Sequence, residues 1–153
     1  MPSPATPRAL AGEIRLVGSE AAAGSAPQAE ARIDIAADEA VFAGHYPGFP
    51  ILPGVCLIEC AHRAALAAFP EPRPAEGELV RLDAVESARF LDPVYPGEPV
   101  TVELAWKSVD SGWQCRAVVK NPRGVSARVR LRFPRPGTAG SAATPALARV
   151  GGA

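Results

Sequence analysis

The sequence predicts an α+β fold in which one long buried helix packs on an antiparallel β-sheet. One segment, from Pro53 or Gly54 to about Phe69, has helical character and is apolar around most of its circumference, which is typical of a buried helix. Several other runs alternate apolar and polar residues, the period of a strand with one buried face. One such helix followed by a series of strands indicates a helix packed against a sheet.

Composition and charge favour a single domain without a polyanionic partner. The chain has 153 residues, of which 48% are hydrophobic, enough for a sizeable core. The formal net charge is zero and no basic block is present, so neither nucleic acid nor an anionic membrane is an expected partner. The N-terminus lacks the apolar run of a secretory signal, and no uncharged run is long enough to span a membrane. We therefore expect a cytoplasmic protein.

The three cysteines, Cys56, Cys60 and Cys115, lack the spacing of a disulfide framework. Cys56 and Cys60 lie four residues apart on one face of the predicted helix, and with His62 they could form half of a metal site. Free cysteine more often behaves as a small buried hydrophobe, and a tetrahedral zinc site needs more ligands at suitable spacing. The sequence therefore predicts no bound metal.

The elements begin after a Pro- and Ala-rich segment, residues 1–10, which we expect to be flexible. A first short strand covers "GEIRLVGSE", and a loop of small residues follows it. The run "AEARIDI" predicts a second strand, because Ala31, Ile33 and Ile35 alternate with charged residues. The next stretch, "ADEAVFAGHYPGFPILPG", is broken by glycine and proline and predicts irregular structure.

The helix is expected to begin at Pro53 or Gly54, since proline is favoured in a first turn, and Pro70 ends it. Strand-like runs follow: "LVRLDAVESARFL", "EPVTVELAWKSVD", "WQCRAVVKN" and "VSARVRLRF". The turn "KNPRG" joins the last two. The tail, residues 135–153, is rich in small residues and proline and is expected to be disordered, which leaves residues 11–134 as the folded domain.

The stretch "GHYPGFPILPG" places His45 in a stiffened segment. Pro47, Pro50 and Pro53 fix the backbone φ angle at three positions in seven residues, so the segment loses little entropy when it holds the imidazole in one place. Histidine titrates near neutrality and suits the role of a general base. A histidine in such a loop also commonly serves only to brace it, and the residue type alone leaves both roles open.

Glu59 is the second candidate, because it lies one to two turns into an otherwise apolar helix. A carboxyl group in apolar surroundings tends to keep its proton and can act as an acid. The N–H groups of Gly54 and Val55 could bind a carbonyl or enolate oxygen. Base, acid and oxyanion site together are suited to abstracting a proton beside a carbonyl group. Alternatively, Glu59 could emerge at a rim or pair with Arg63, four residues further on.

The same stretch resembles the signature of the hotdog-fold (3R)-hydroxyacyl-acyl-carrier-protein dehydratases of the FabZ type. That family carries a "GHFPGxPxMPGV" run, then an apolar pair and a glutamate that opens an "EAxAQ" segment. This chain has "GHYPGFPILPGVCLIECAHRAA", with His45 and Glu59 in register. A second, less specific match pairs "VESARFLDPVYPGEPVTVELAW" with the family's "xxARFxxPVxPGDxL". The likeness covers residues 10–134.

The resemblance implies a hotdog fold in which two protomers pair edge to edge, as a homodimer or a trimer of dimers, with active sites at the interface. His45 of one protomer would take the C2 proton of a 3-hydroxyacyl thioester. Glu59 of the other would help expel the C3 hydroxyl as water, giving a trans-2-enoyl product. The N–H groups of Gly54 and Val55 would bind the thioester carbonyl, and the acyl chain would lie in an apolar tunnel between protomers. An acyl carrier protein would deliver the substrate on its phosphopantetheine arm, and no cofactor is implied.

The chain departs from the family pattern at Arg63, where the family usually has glutamine. Arg63 could pair with Glu59 and weaken it as an acid, or point elsewhere, and we also include it among the substrate-binding residues. The tyrosine that often gates the family's tunnel falls near Arg81 here. These departures suggest a relative specialised for polyketide or polyene synthesis rather than for fatty-acid synthesis.

Two other classes of function stay open. The chain could be a non-catalytic partner of a paralogous hotdog subunit in a heterodimeric dehydratase, or an acyl-carrier docking module, and Arg63 keeps this class open. Acyl-thioester hydrolysis, which other hotdog proteins perform, usually lacks this His-Pro-Gly signature. A self-sufficient enzyme is expected to form its oligomer without an added paralogue, so a size measurement distinguishes it from a partner subunit.

Overall fold

The computed structural model describes residues 10–20, 27–45, 48, 50–71 and 80–134. The elements in chain order are β1 (Ile14–Glu20), β2 (Gln28–Asp34), α1 (Ala40–His45), α2 (Gly54–Ala67), β3 (Ala84–Phe90), β4 (Pro99–Val109), β5 (Gly112–Asn121) and β6 (Gly124–Pro134). The strands form one antiparallel sheet in the order β1-β2-β4-β5-β6-β3.

One face of the sheet packs against α2 and forms the core. Facing pairs in the register of β4 and β5, such as Val102 with Val119 and Leu104 with Ala117, are buried together on this face. The alternation in the sequence predicts this burial, because successive side chains of a strand point to opposite faces of the sheet. A long helix packed on an antiparallel sheet confirms the predicted α+β hotdog fold.

The predicted helix is confirmed as α2, which ends at Ala67, two residues before the predicted end at Phe69. Five of its six buried residues are cysteine or alanine: the six are Cys56, Leu57, Cys60, Ala61, Ala64 and Ala65. Such small side chains let the helix backbone lie close to the sheet. The apolar circumference predicts burial all round, but seven other residues of the helix are partly exposed and Val55 is 71% exposed, so only one face of α2 is buried in the single chain.

An aromatic cluster fills the space between helix and sheet at the C-terminal end of α2. The ring of Phe69 meets those of Trp106 and Phe133 edge-on, with centroids 5.4 and 5.6 Å apart. The Trp106 and Phe133 centroids are 5.6 Å apart, and both residues are buried. Edge-to-face pairs add about 0.5–1.5 kcal/mol each beyond simple burial, so this end of the helix is firmly packed.

The segment between β2 and α2 is predicted to be irregular, and for α1 that prediction is wrong. Six residues are too few to show helical periodicity, and a helix this short is marginal by itself. The side chain of Phe42 is buried in the core, and the Phe42 N–H donates to the Glu39 carbonyl at 3.1 Å. Tertiary packing therefore stabilises α1. Tyr46, Pro47 and Phe49 lie outside the described residues.

β3 forms one edge of the sheet, and among the described residues only β6 pairs with it. Six of its seven residues are exposed. They include two large apolar side chains, Val85 and Phe90, and the next residue, Leu91, is also exposed. An exposed apolar edge strand is a template for pairing with another chain. This edge therefore presents both free hydrogen-bonding groups and apolar surface.

The loop between β3 and β4 supports the start of α2. The Leu52 N–H donates to the carbonyl of Val94 at 2.8 Å, and Val94 is fully buried. The β5–β6 turn braces the loop in turn, because the Asn121 amide and the Arg123 guanidinium both donate to the carboxylate of Asp92. The position of the helix start thus depends on contacts far along the chain.

The two ends of the chain lie mostly beyond the described residues. Residues 1–9 and 135–153 fall outside them, so the flexibility and disorder expected there stay predictions. Leu10, placed with the flexible segment by the sequence, has a completely buried side chain. Among the described helices, none has the length and apolar character needed to cross a membrane.

Candidate active site

Glu59 extends from the second turn of α2 and is only partly exposed. Its Oε2 atom is shielded from solvent and has no hydrogen-bond partner among the described residues. Leaving a buried carboxyl oxygen unpaired is unfavourable by about 1–3 kcal/mol or more. Such an oxygen is available to a group that enters the site.

The start of α2 leaves two backbone donors open. Pro53 precedes the helix and no side chain caps it. The N–H groups of Cys56 and Leu57 bond to the Pro53 carbonyl, at 2.9 and 3.4 Å, whereas those of Gly54 and Val55 have no acceptor within the described part of the chain. Unpaired N–H groups at a helix start carry partial positive charge and can hold a developing negative charge.

Gly54 allows the edge strand to approach the helix. A Cβ atom at this position would lie 2.8 Å from Cζ of Phe90, so only glycine permits the observed contact. The Phe90 ring remains 50% exposed, and the exposed Val55 is the next residue of the helix. The start of α2 and the end of β3 together form one exposed apolar surface beside the two open N–H groups.

His45 is the last residue of α1, and only its backbone is described. The structure therefore places Gly54, Val55, Glu59 and Arg63 on one helix and does not locate the imidazole relative to them. The role of His45 as the base stays a prediction.

Arg63 does not pair with Glu59, which settles one of the alternatives read from the sequence. Its guanidinium instead donates to two backbone carbonyls, with Nη1 3.4 Å from the oxygen of Leu10 and Nη2 bonded to the oxygen of Gly12. None of the ion pairs formed by the described residues includes either Arg63 or Glu59. The substrate-binding role predicted for Arg63 is untested by this geometry.

Glu39 is a site neighbour that sequence reasoning missed. Its side chain is buried, and its carboxylate accepts hydrogen bonds from the N–H groups of Ala11 (3.0 Å) and Gly12 (3.2 Å). These donors lie 28 and 27 residues earlier in the chain. No local pattern could reveal such a pairing, since a glutamate before a short helix usually faces solvent.

The two cysteines of α2 are buried free thiols. Burial raises the pKa of Cys56 to about 11, and the nearby charges of Glu59 and Glu39 act in the same direction. Burial also raises the pKa of Cys60 to about 12. Both thiols therefore stay protonated and behave as small hydrophobes.

His62 is half-buried and packs against the core. Burial lowers the pKa of His62, against the opposing charge of Glu59, which favours the neutral imidazole. Its ring stacks on Phe133 with centroids 6.1 Å apart. In the part of the chain that the structure describes, no three His, Cys, Asp or Glu side chains are grouped so as to hold a metal ion.

A cavity of about 510 Å³ lies on the opposite face of the sheet. Its lining includes charged residues of four strands, Glu30, Glu103, Arg116 and Arg128. No residue of α2 contributes to it. This cavity is therefore separate from the start of α2.

Comparison with protein families gives one match that covers most of the chain. The family model described as "ApeI-like: ApeI dehydratase" matches residues 21–127. The matched range contains both His45 and Glu59, together with the helix start that connects them in sequence.

Curated proteins similar to the chain include two dehydratases. The 3-hydroxyacyl-[acyl-carrier-protein] dehydratase FabZ of Thermus thermophilus is 38% identical to this chain over 94 residues. The match covers 59% of this chain and 66% of the relative, so the chain spans slightly less than two thirds of that relative's length. The FabZ of Koribacter versatilis is 32% identical over 108 residues, covering 67% of this chain and 69% of the relative.

Solved structures with a similar fold include proteins of different description. One is the dehydratase heterocomplex ApeI:P from Xenorhabdus doucetiae, with a TM-score of 0.56 and 20% identity, covering 80% of this chain and 99% of that chain. Another is the PaaI protein from the phenylacetic acid degradation operon of E. coli, with a TM-score of 0.57 and 16% identity, covering 80% and 82%. At these identities the likeness establishes the fold alone.

Proposed function

The chain belongs to the ApeI-like dehydratase family, and we propose that it removes water from (3R)-3-hydroxyacyl thioesters carried on an acyl carrier protein. The C2–H and C3–O bonds of the substrate break, a C2=C3 double bond forms, and one water molecule leaves. The product is a trans-2-enoyl thioester. The names of the similar curated proteins support this substrate class, and the chemistry requires no cofactor.

The buried, unpartnered oxygen of Glu59 is the observation that carries the proposal. Expelling hydroxide from C3 is difficult, because hydroxide is a poor leaving group, and a proton supplied to that oxygen lets it leave as water. A carboxyl group on a buried helix, with one oxygen awaiting a partner, is suited to supplying that proton. Positioned acid–base groups contribute roughly 10²–10⁴-fold each to the rate.

His45 is the proposed base, which takes the C2 proton. This assignment follows from its position in the "GHYPGFP" run and at the end of α1, and it is an expectation for the side chain. A neutral imidazole removes an acidic C–H efficiently only when the negative charge that develops on the thioester oxygen is stabilised.

The open N–H groups of Gly54 and Val55 are the proposed site for that oxygen. They point out of the helix start, where the dipole of α2 adds partial positive charge. Glu59 stands one to two turns further along the same helix, so one rigid element holds both the oxyanion donors and the acid. Rigid placement of this kind avoids reorganisation during the reaction.

The active unit is proposed to be a homodimer or a trimer of dimers. Pairing of two β3 edges would continue the sheet from one protomer to the next and would cover the exposed apolar surface around Phe90. It would also bring the start of each α2 to the partner, where His45 of the other protomer would complete the site. An apolar tunnel between protomers would hold the acyl chain.

Mass spectrometry of carrier-bound substrates tests the activity. The purified chain is incubated with (3R)-3-hydroxyacyl carrier proteins of several chain lengths, and the expected result is loss of one water from each accepted chain. His45→Ala, with an unchanged far-UV circular dichroism spectrum, is expected to abolish that loss. Turnover by the His45→Ala protein would remove His45 from the role of base.

A second candidate function is that of a partner subunit in a heterodimeric dehydratase. The observation that favours it is the exposed β3 edge, which accepts a paralogue as readily as a second copy, and a protein of similar fold was solved as a dehydratase heterocomplex. Light scattering distinguishes the candidates, since a self-sufficient enzyme forms its oligomer alone. A folded monomer that dehydrates nothing until a paralogue is added would establish the partner role.

The preferred acyl chain is proposed to belong to polyketide or polyene synthesis, in the cytoplasm. The support is the departure from the family sequence at Arg63 and near Arg81, together with three free cysteines that suit a reducing compartment. If short saturated chains prove as good as any other substrate in the mass-spectrometric comparison, this specialisation is wrong.

A further inference from the structure

A short segment at the start of the described chain is held from two sides by charged groups. We call residues Leu10 to Gly12 the N-terminal strap. The Arg63 guanidinium donates to its carbonyl groups, and the Glu39 carboxylate accepts from its N–H groups, with both Glu39 oxygens within 3.1 Å of the Ala11 nitrogen. The cation and the anion thus bind opposite sides of the Leu10–Ala11 peptide unit, in charge-assisted hydrogen bonds.

The strap fits its place closely. The Leu10 side chain is completely buried in the core. A Cβ atom on Gly12 would lie 2.6 Å from the backbone oxygen of Asp34, so only glycine permits this approach. Glu39 is buried and its carboxylate needs the strap's N–H groups, since an unpaired buried charge is strongly unfavourable.

The strap also binds the Arg63 side chain. Arg63 follows Glu59 by four residues on α2, the spacing at which a glutamate and a cation normally pair on a helix. The guanidinium is instead engaged by the strap carbonyls, and one oxygen of Glu59 has no partner. Without the strap, the nearest anionic group for Arg63 on its own helix would be the carboxyl of Glu59.

We propose that Glu39 and Arg63 are positioning residues that hold the strap, and that the strap keeps the Arg63 guanidinium away from Glu59. The inference rests on the proposed function, because it concerns the group assigned there as the acid. An arginine paired with that carboxyl would favour the carboxylate form and withdraw the proton needed by the leaving hydroxyl. Glu39 matters only through the strap, and it touches neither substrate nor reacting atoms.

A double substitution tests the proposal, because it predicts a rescue. Glu39→Ala releases the strap, frees Arg63 and is expected to lower kcat at least about tenfold, with KM little changed. Complete loss of a positioned acid would lower the rate roughly 10²–10⁴-fold. Arg63→Gln alone measures what the loss of the guanidinium does to kcat, and it is the reference with which the double variant is compared. The double variant Glu39→Ala/Arg63→Gln is expected to recover most of the kcat lost in Glu39→Ala.

The rescue separates this mechanism from simple loss of structure. If both residues only stabilised the fold, the double variant would be at least as slow as Glu39→Ala, and that result would overturn the proposal. A Glu39→Ala protein with wild-type kcat would overturn it as well. Arg15→Gln is the matched control, because Arg15 is an exposed arginine of β1 that pairs with Asp34; its kcat should equal that of the wild type.

A crystal structure of the Glu39→Ala protein gives a readout that does not depend on turnover. The expected result is the Arg63 guanidinium within hydrogen-bonding distance of the Glu59 carboxyl. If Arg63 stays on the carbonyls or turns to solvent, the proposal is overturned. This test applies whether or not the wild-type chain is active, so it does not depend on the proposed function. Should Glu39→Ala not fold, Gly12→Ala displaces the strap by crowding Asp34 and takes its place in both experiments.

Discussion

The two ends of α2 differ in how closely their side chains are packed and in how exposed they are. The C-terminal end packs into the cluster formed by Phe69, Trp106 and Phe133, where Phe69 meets the other two rings edge-on and those two are buried. The N-terminal end has two open N–H groups, the exposed Val55, and Glu59 with an unpartnered buried oxygen. The C-terminal end is closed by packed rings, although the buried indole Nε1 of Trp106 has no partner among the described residues. The N-terminal end is open.

The difference shows how one helix can serve stability and chemistry at once. Unpaired polar groups and exposed apolar side chains lower the stability of a folded chain. They persist where the surrounding structure is firm enough to hold them, as functional sites generally require. In this molecule the aromatic cluster supplies that firmness at one end of α2, so substitutions at the two ends should affect different measurements.

The largest expected effect is on activity, at the open end. Glu59→Gln keeps the size of the side chain and removes its acidic proton, so the rate of dehydration should fall roughly 10²–10⁴-fold. The thermal midpoint should stay close to that of the wild type, because no hydrogen bond to the buried oxygen is lost. A Glu30→Gln protein, altered at an exposed carboxylate on the other face of the sheet, is the control for both measurements. A rate loss below tenfold would assign the acid to another group.

The next effect is on stability, at the closed end. Phe133→Ala removes a completely buried ring and should lower the free energy of unfolding by about 3–5 kcal/mol. Denaturant titration measures this, and kcat per folded molecule should change little. Phe133→Leu retains more of the buried volume and should lose less. A large fall in kcat with unchanged stability would mean that the C-terminal end of α2 also contributes to activity.

A third effect tests the boundary between helix and edge strand. Gly54→Ala places a methyl group 2.8 Å from the Phe90 ring, so the ring must move, and overpacking of this kind costs about 1–3 kcal/mol. The same substitution at Gly18, where nothing lies within 4 Å, is the control. Thermal unfolding is expected to show rescue in Gly54→Ala/Phe90→Leu. Equal stability of the Gly54→Ala and Gly18→Ala proteins would show that the ring moves freely.

The smallest effect concerns the loop that supports the helix start, and it depends on pH. The hydrogen bond from Asn121, helped by Arg123, holds the pKa of Asp92 below its usual value. The folded protein thus favours the carboxylate of Asp92 more than the unfolded chain does. This stabilisation is fully present above the pKa of an aspartate in the unfolded chain, near 4. It is lost as the pH falls through the lower pKa of Asp92 in the folded protein. Asn121→Ala should therefore lower the thermal midpoint at pH 7 more than at pH 2–3. An equal loss at both pH values would contradict this.

Much of the fold could be predicted because its signals are local. Strand-like runs predict every described strand, with clear alternation in β2, β4 and β6, and the apolar circumference together with Pro53 predicts α2 within two residues. The helix α1 could not be predicted, since its six residues carry no periodicity and Phe42 is buried by partners elsewhere in the chain. Leu10 shows the same limit. The Pro- and Ala-rich composition of residues 1–10 predicts a flexible segment, whereas the burial of Leu10 depends on tertiary contacts.

The sequence by itself determined the strand pattern, the buried helix and the spacing of His45 and Glu59, because periodicity and motif spacing are properties of neighbouring residues. Only the tertiary structure decided which groups Arg63 and Glu39 bind. Their partners, the backbone groups of the strap, lie 51–53 and 27–28 residues away. The backbone offers identical donors and acceptors at nearly every residue, so no sequence pattern marks the ones chosen. The fold alone decides which of them a buried charge can reach.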